Sequence, residues 1–275
     1  MDKDYKNSLG FGIAGNFALH LKQAGELEDF KDIITADEAA PKGVFPFYIP
    51  NNKTFLGTYP ISNNTIKLPA EEVNVQAEPE VALTCKLTYK EGKVDTITPT
   101  HFGAYNDTSL RKNAPKISLK KNWGAQSKGI SSQLIEIDKF SEGGIMDNYR
   151  ICSFLRRNGN VFRYGEDVEL TGYSYFYEKL IEWIKEQINT QEDFGPLEPV
   201  LEYIKEASYP EELLISIGAT RYTEYGETTF LQSGDEVIVA LYDDRLHCKN
   251  PVFSKIVAGN YEHEGMSVLA QKVIL

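Results

Sequence analysis

An α+β fold built mainly from short strands is what the sequence predicts, on three observations. Short apolar runs recur between Pro, Asn and Gly turns: VFPFYI (44–49), TIKL (65–68), VNVQAEPEVALTCKL (73–87) and a run around Ile97. The Asn158-Gly159 dipeptide, flanked by residues 149–157 and 161–164, is a strong hairpin signal. Against these strands stands one long helical stripe, residues 173–189, with Phe176, Leu180, Trp183, Ile184 and Ile188 at helical spacing.

The remaining elements follow the same rhythm. Residues 10–15, GFGIAG, match the G-x-G-x-x-G string of dinucleotide sites, but that motif needs an apolar strand before it to aim the glycines, and MDKDYKNSL supplies none. Asn16 to Phe30 has helical spacing, with Phe17, Leu21, Ala24 and Leu27 on one face. A further helix is expected through PLEPVLEYIKEA. Strands are expected at LLISI (213–217), at TTFL before the Ser233-Gly234-Asp235 turn, and at EVIVALY, after which a turn at Asp243-Asp244 leads to RLHCKN. No repeat, linker or low-complexity run divides these elements, so residues 1–275 are read as a single domain with a few peripheral helices.

Composition narrows the partners. Asp+Glu 40 against Lys+Arg 29 gives a net charge of -11, without a basic run, which argues against nucleic acid or an anionic membrane. No stretch approaches the roughly 20 apolar residues of a membrane span, and the N-terminus has no apolar segment after a basic one, so a cytoplasmic protein with a small-molecule partner is expected. Cys85, Cys152 and Cys248 are odd in number and far apart, which indicates neither a disulfide framework nor a zinc site.

Within 73–87 the alternation places Val73, Val75, Ala77, Pro79, Val81, Leu83, Cys85 and Leu87 on one face. Glu78 and Glu80 then point the same way from the other face, about 7 Å apart. Two readings are open: a strand showing its polar face to water, or two carboxylates converging on a hard cation such as Mg²⁺ or Mn²⁺. Pro79 suggests an edge or the end of regular pairing. Further on, Asn106-Asp107 would alone be a turn, and Lys121 beside Trp123 alone a snorkelled surface side chain.

Taken in order, the pieces EPE (78–80), AYNDTSLR (104–111), LKKNW (119–123), RRNGNVFRYG (156–165), LLISIGAT (213–220) and FLQSGDEV (230–237) resemble the fumarylacetoacetate hydrolase family over about residues 10–250. GFGIAGNFALHLKQAGE resembles that family's N-terminal segment, which re-explains the glycine string. The resemblance implies a mixed β-roll or β-sandwich, with residues 251–275 as a C-terminal extension, and a homodimer. It implies Glu78, Glu80 and Asp107 as ligands of Mg²⁺ or Mn²⁺, Lys121 at a developing oxyanion, and His20 as the histidine of a His-x-x-Glu dyad that activates water or moves a proton. Arg111, Gly218 and Thr220 match substrate-side positions. The implied chemistry is C–C cleavage, decarboxylation or tautomerisation of a small oxo acid or dicarbonyl compound through an enolate.

The sequence departs from that pattern on the substrate side. Gln23 replaces the dyad carboxylate, unless Glu26 takes its place from the next turn; glutamine can orient an imidazole but cannot stabilise an imidazolium by charge. Ile49 stands where many relatives carry a substrate-facing lysine, Ala219 where they carry a hydroxyl, and Lys112 where they often have Asp. These changes motivate the rival reading of a non-catalytic relative that keeps the fold and binds metal or a small ligand.

Overall fold

The computed structural model describes residues 4–275, and its architecture is the strand-rich α+β class expected. The glycine string lies inside a strand, β1 (Leu9–Ala14). The reason is steric: a Cβ on Gly10 would stand 2.5 Å from the Phe47 ring, and one on Gly12 2.3 Å from the Phe45 ring. Glycine therefore admits the aromatic residues of the antiparallel neighbour, β2 (Gly43–Tyr48).

The single helix expected over residues 16–30 is corrected to two short pieces. One turn, α1 (His20–Gln23), is followed by a 3₁₀ turn at Leu27–Phe30. Gly25 between them takes φ of 72°, which ends the α-helix. After β3 (Thr65–Lys67), the expected strand 73–87 also divides, into β4 (Val75–Gln76) and β5 (Pro79–Lys90). β5 makes a long hairpin with β6 (Lys93–Asn106), and β7 (Ser109–Leu110) returns to pair with β4. The residues around Lys121 form a one-turn helix, α2 (Ser118–Lys121), ahead of the short strands β8 (Gly129–Ile130) and β9 (Ile135–Glu136).

The hairpin of β10 (Tyr149–Arg157) and β11 (Asn160–Glu169) turns on Asn158 at φ 51° and Gly159 at φ 78°, the two positive values that a type I′ turn requires. The long helical stripe is α3 (Tyr177–Thr190), which buries Leu180, Trp183, Ile184 and Ile188, with Phe176 just outside as its N-cap. α4 (Val200–Glu206) and β12 (Glu212–Ser216) fall where expected. TTFL is not a strand. The chain there leaves a short helix, α5 (Glu224–Thr228), whose N-cap Thr223 accepts a hydrogen bond from Gly226 N–H. β13 (Glu236–Asp243) is followed by α6 (Lys249–Val257) in place of an extended RLHCKN, and then by β14 (Met266–Ile274).

Two sheets carry the domain. The larger runs β2-β1-β12-β5-β6-β8, with β9 also on β6; the smaller runs β11-β10-β13-β14-β3. Residues 251–275 are therefore not an appendage, because β14 sits between β13 and β3 inside the second sheet. Apolar side chains from both sheets, including Val81, Leu83, Phe102, Ile151, Val239 and Leu269, form one continuous core. β5 lies between β12 and β6, so Pro79 to Cys85 are buried on both faces, and no wet face appears until Lys86. β1 and β12 are parallel, while β5 and β2 run against them. The ends of β1, β12 and β6 and the starts of β2 and β5 consequently meet at one end of the sheet, where the acidic residues are found.

Candidate metal centre

Strand register puts the three acids together. Pro79 pairs with Asn106 and Glu80 with Tyr105 across the β5–β6 hairpin. Asp107 follows directly, and its N–H donates to the Glu78 carbonyl at 2.9 Å. Asn106 fixes this junction, since its Oδ1 accepts from Glu78 N–H at 3.1 Å and its Nδ2 donates to Gln271 on β14 at 3.0 Å. One carboxylate oxygen from each of Glu78, Glu80 and Asp107 lies within 4.8 Å of the others, and all three residues are buried.

The chain's own cations crowd this cluster unevenly. Lys121 Nζ stands 2.6 Å from Glu78 Oε2 and 2.6 Å from Asp107 Oδ2. Lys128, fully buried, places Nζ 3.0 Å from Asp107 Oδ1 and donates to the Thr108 carbonyl at 2.5 Å. Arg111 reaches Glu78 Oε1 at 2.8 Å. Glu80 alone of the three acids has no ion-pair partner among the described residues; its Oε2 accepts from Gly218 N–H at 3.0 Å.

The titration behaviour follows from that asymmetry. Burial works against ionisation of Glu78, but the Lys121 and Arg111 charges overcome it and hold the carboxyl well below the usual range. For Glu80, burial and then the Asp107 charge raise the pKa well above 4.5, against the weaker attraction of Lys121. Burial also brings Lys128 down to about 8, against the attraction of Asp107.

These residues fit a hard divalent ion. The donor set is all oxygen, and Glu78 Oε1 and both Asp107 oxygens are buried without a directed hydrogen bond, although cationic nitrogens lie close. Glu80, which has no ion-pair partner among the described residues, is the acid at which such an ion would take the place of a proton. A small cavity of about 20 Å³, lined by these acids together with His20, Glu26, Lys121 and Ala219, opens beside them.

The other residues singled out in the sequence take different places. His20 is buried on the cavity wall, and its Nδ1 is 2.9 Å from the Thr220 carbonyl. A carbonyl only accepts, so Nδ1 carries the proton and Nε2 keeps its lone pair. Burial lowers the pKa of His20 and favours the neutral ring, against the Glu78 charge, which raises it. Gln23 does not orient this ring. Its Oε1 accepts from Tyr222 N–H at 2.9 Å, and its Nε2 donates to the Tyr222 carbonyl at 3.1 Å, which clamps α1 to the 220–222 segment. Glu26 is buried on the cavity wall but ion-paired to Arg111 at 3.1 Å and Lys120 at 3.0 Å.

On the substrate side, Arg111 is spent inside the protein: besides Glu26 and Glu78 it donates to Gln76 Oε1 at 2.6 Å and to the Tyr222 hydroxyl at 3.0 Å. Gly218, at φ 109°, lets its N–H reach Glu80 while its carbonyl accepts from the Tyr173 hydroxyl at 2.8 Å. The Thr220 hydroxyl turns to the Pro79 carbonyl at 3.3 Å, so Ala219 rather than Thr220 lines the cavity. Sequence reasoning missed Lys128, whose only signal was a lysine at the entry to a two-residue strand, and missed the support given by Gln271.

The family model described as "Family of unknown function (DUF5718)" matches residues 26–273. No curated protein matches the chain. Solved structures do. "Crystal structure of Cg1458 with inhibitor" is 19% identical at a TM-score of 0.56, covering 97% of this chain and 77% of that one. A 5-carboxymethyl-2-hydroxymuconate delta-isomerase from Mycobacterium smegmatis is 15% identical at 0.54, covering 97% and 78%. A 2-keto-3-deoxy-D-arabinonate dehydratase complexed with magnesium and 2,5-dioxopentanoate is 14% identical at 0.54, covering 97% and 72%. The chain thus has the fumarylacetoacetate hydrolase-like fold expected from its motifs. Among the described residues no helix is long and apolar enough to cross a membrane.

Proposed function

The chain belongs to DUF5718, a family of unknown function, and we propose that it is a divergent, divalent-metal-dependent enzyme of the fumarylacetoacetate hydrolase type. Its substrate on this reading is a small oxo acid or dicarbonyl compound. The observation that carries the reading is the buried cluster of Glu78, Glu80 and Asp107, in which Glu80 has no ion pair among the described residues. Magnesium bound to a fold neighbour of like architecture supports the choice of Mg²⁺ or Mn²⁺.

Glu78, Glu80 and Asp107 would hold the ion, which supplies Lewis-acid stabilisation of the negative charge that develops on an enolate oxygen. Lys121, fixed between Glu78 and Asp107, adds a permanent positive charge at the same place without reorganisation. His20, neutral and with Nε2 unprotonated, accepts or returns a proton at the substrate carbon. Thr220 sets that tautomer through its carbonyl. Lys128 and Arg111 position Asp107 and Glu78 and do not themselves face substrate.

Reactions that need no attacking water suit this arrangement best. The dyad carboxylate that would stabilise an imidazolium is absent at Gln23, and Glu26 is already committed to two cations. Decarboxylation or tautomerisation is accordingly favoured over hydrolytic C–C cleavage. The test is Mn²⁺ binding by calorimetry together with turnover of oxaloacetate and a panel of acylpyruvates, with Glu80→Ala as control. Metal-dependent turnover lost in the variant supports the enzyme. Tight metal binding with no turnover on any substrate supports a metal- or ligand-binding relative instead, and absence of metal binding sinks both.

A further inference from the structure

A second cavity, of about 380 Å³, lies against β6 and β8 of the larger sheet and shares no lining residue with the cavity at the carboxylates. Its volume is that of a small-molecule site. Tyr5, Tyr59, Ile61, Ile130 and Leu134 give it ring faces and hydrocarbon. The walls are built by the fold itself. Ser62 N–H donates to the Lys128 carbonyl at 2.9 Å and Lys128 N–H to the Pro60 carbonyl at 3.1 Å, which ties the loop carrying Tyr59 and Ile61 to the entry of β8. The Tyr59 ring is held edge-on to Tyr48, with centroids 5.3 Å apart. A ligand would therefore meet a preformed surface and order little of it on binding.

The polar groups on these walls are of one kind: no carboxylate, ammonium or guanidinium lines the cavity. Lys6, whose Nζ is 5.8 Å from the Tyr59 centroid, stands outside the lining and pairs with Asp4 at 3.5 Å. The Ser131 hydroxyl is used by the protein, donating to the Val268 carbonyl at 2.9 Å and accepting from Gln133 N–H at 3.1 Å. His101 and Ser132 differ. Neither side chain forms a hydrogen bond or ion pair among the described residues, although the His101 ring is half-buried on β6. Behind them Tyr105, paired in register with Ile130, keeps a buried hydroxyl without a partner. A neutral imidazole offers one donor and one acceptor, and a hydroxyl offers both. An anion entering here would lose its hydration without meeting a counter-charge, whereas a flat uncharged ring can lie against the tyrosines and bond at its edge.

We propose that this cavity is a second ligand site, separate from the metal centre, and that it takes an uncharged aromatic ring carrying both a donor and an acceptor, read by His101 and Ser132. Tyr5, Tyr59 and the aliphatic side chains supply the contact area, and the missing charges set the selectivity. The inference stands apart from the metal-centre reading, since the two cavities have no residue in common.

The test sets three probes of like size against the full chain at pH 8, with Mg²⁺ present and absent: 4-hydroxybenzamide, its anionic counterpart 4-hydroxybenzoate, and the saturated cyclohexanecarboxamide. Affinity is read by calorimetry, and place by the NMR signals of the His101 ring protons, identified by their loss in His101→Gln. The aromatic amide is expected to move those signals and to bind about tenfold more tightly than either of the others, with or without the ion. His101→Ala should weaken it about fivefold, the loss of one hydrogen bond. Ser132→Arg, at an exposed position, sets a cation on the wall and should reverse the order of amide and benzoate. Equal binding of the three probes, binding that leaves the His101 signals unmoved, or an order unchanged in Ser132→Arg overturns the proposal. Absence of amide binding overturns it too, whether the cavity stays empty or a second copy of the chain covers it, which sedimentation distinguishes.

Discussion

Lys121 Nζ lies 2.6 Å from Asp107 Oδ2, with both side chains buried, so the protein's own ammonium stands where a divalent ion would approach the carboxylates. Lys121→Met removes that charge and leaves Glu78 and Asp107 facing Glu80. Breaking a buried pair in this way costs about 3–5 kcal/mol. At roughly 2–4 °C per kcal/mol for a chain of this size, the metal-free melting temperature should drop by about 10 °C. The same variant should bind Mn²⁺ more tightly, so added metal restores much of the loss. Equal metal-induced shifts in variant and wild type would show that Lys121 and the ion do not share the carboxylates.

Glu80 gives the centre its pH dependence. Its pKa is raised in the folded protein, by burial first and by Asp107 second. A carboxyl raised on folding contributes stability that is complete below its unfolded value of 4.5 and is lost as pH rises through the folded value. A bound cation should reverse this, because it replaces the proton. Metal affinity is therefore expected to increase with pH over that window, with proton release on binding, read as a heat that differs between buffers of different ionisation enthalpy. Glu80→Gln should abolish the buffer dependence; a release that persists in the variant would assign the proton elsewhere. Glu78 acts at the opposite limit. Its pKa is depressed, so its contribution is present above 4.5 and is lost only as pH falls through the folded value.

Much of this was legible in the residues, and what was not has physical causes. Alternation in 73–87 gave the strand and the shared face of Glu78 and Glu80, but periodicity cannot tell water from a cavity: both faces are buried because β12 and β6 flank β5. The Asn158-Gly159 turn was plain, since positive φ at both positions is a local requirement. Residues 16–30 misled because apolar spacing persists across Gly25, where the backbone leaves the helix. Lys128 and Gln271 were beyond reach, as each acts through a partner far along the chain. For the same reason the long-range pairing of β14 was invisible, and the last residues looked like an extension.

Arg111 illustrates a cation that is structural in spite of its place in the motif. All of its polar contacts, to Gln76, Glu26, Glu78 and Tyr222, are internal. Arg111→Lys keeps the charge but cannot reproduce a planar fork bonded to four partners. It should lower stability by about 3 kcal/mol, in the range for a broken buried ion network, as measured by urea denaturation. If Arg111 instead gripped substrate, the variant would keep its stability and show a raised KM.

Restoring an acid at position 23 should not restore a catalytic dyad. The Gln23 side-chain amide both accepts from Tyr222 N–H and donates to the Tyr222 carbonyl, and Glu227 Oε2 lies 3.3 Å from its Nε2. A carboxylate in the same rotamer can still accept, but it has no proton for the carbonyl and meets Glu227 as a like charge. Gln23→Glu is therefore expected to destabilise the protein by about 1–3 kcal/mol, the cost of a polar partner left unsatisfied. Turnover of acylpyruvates should not rise, because Thr220, not residue 23, fixes the His20 ring. The measurements are thermal unfolding and acylpyruvate hydrolysis on the same preparation. Unchanged stability with a gain in hydrolysis would mean that the new carboxylate leaves Tyr222 and pairs with His20, and the case for water-independent chemistry would then be lost.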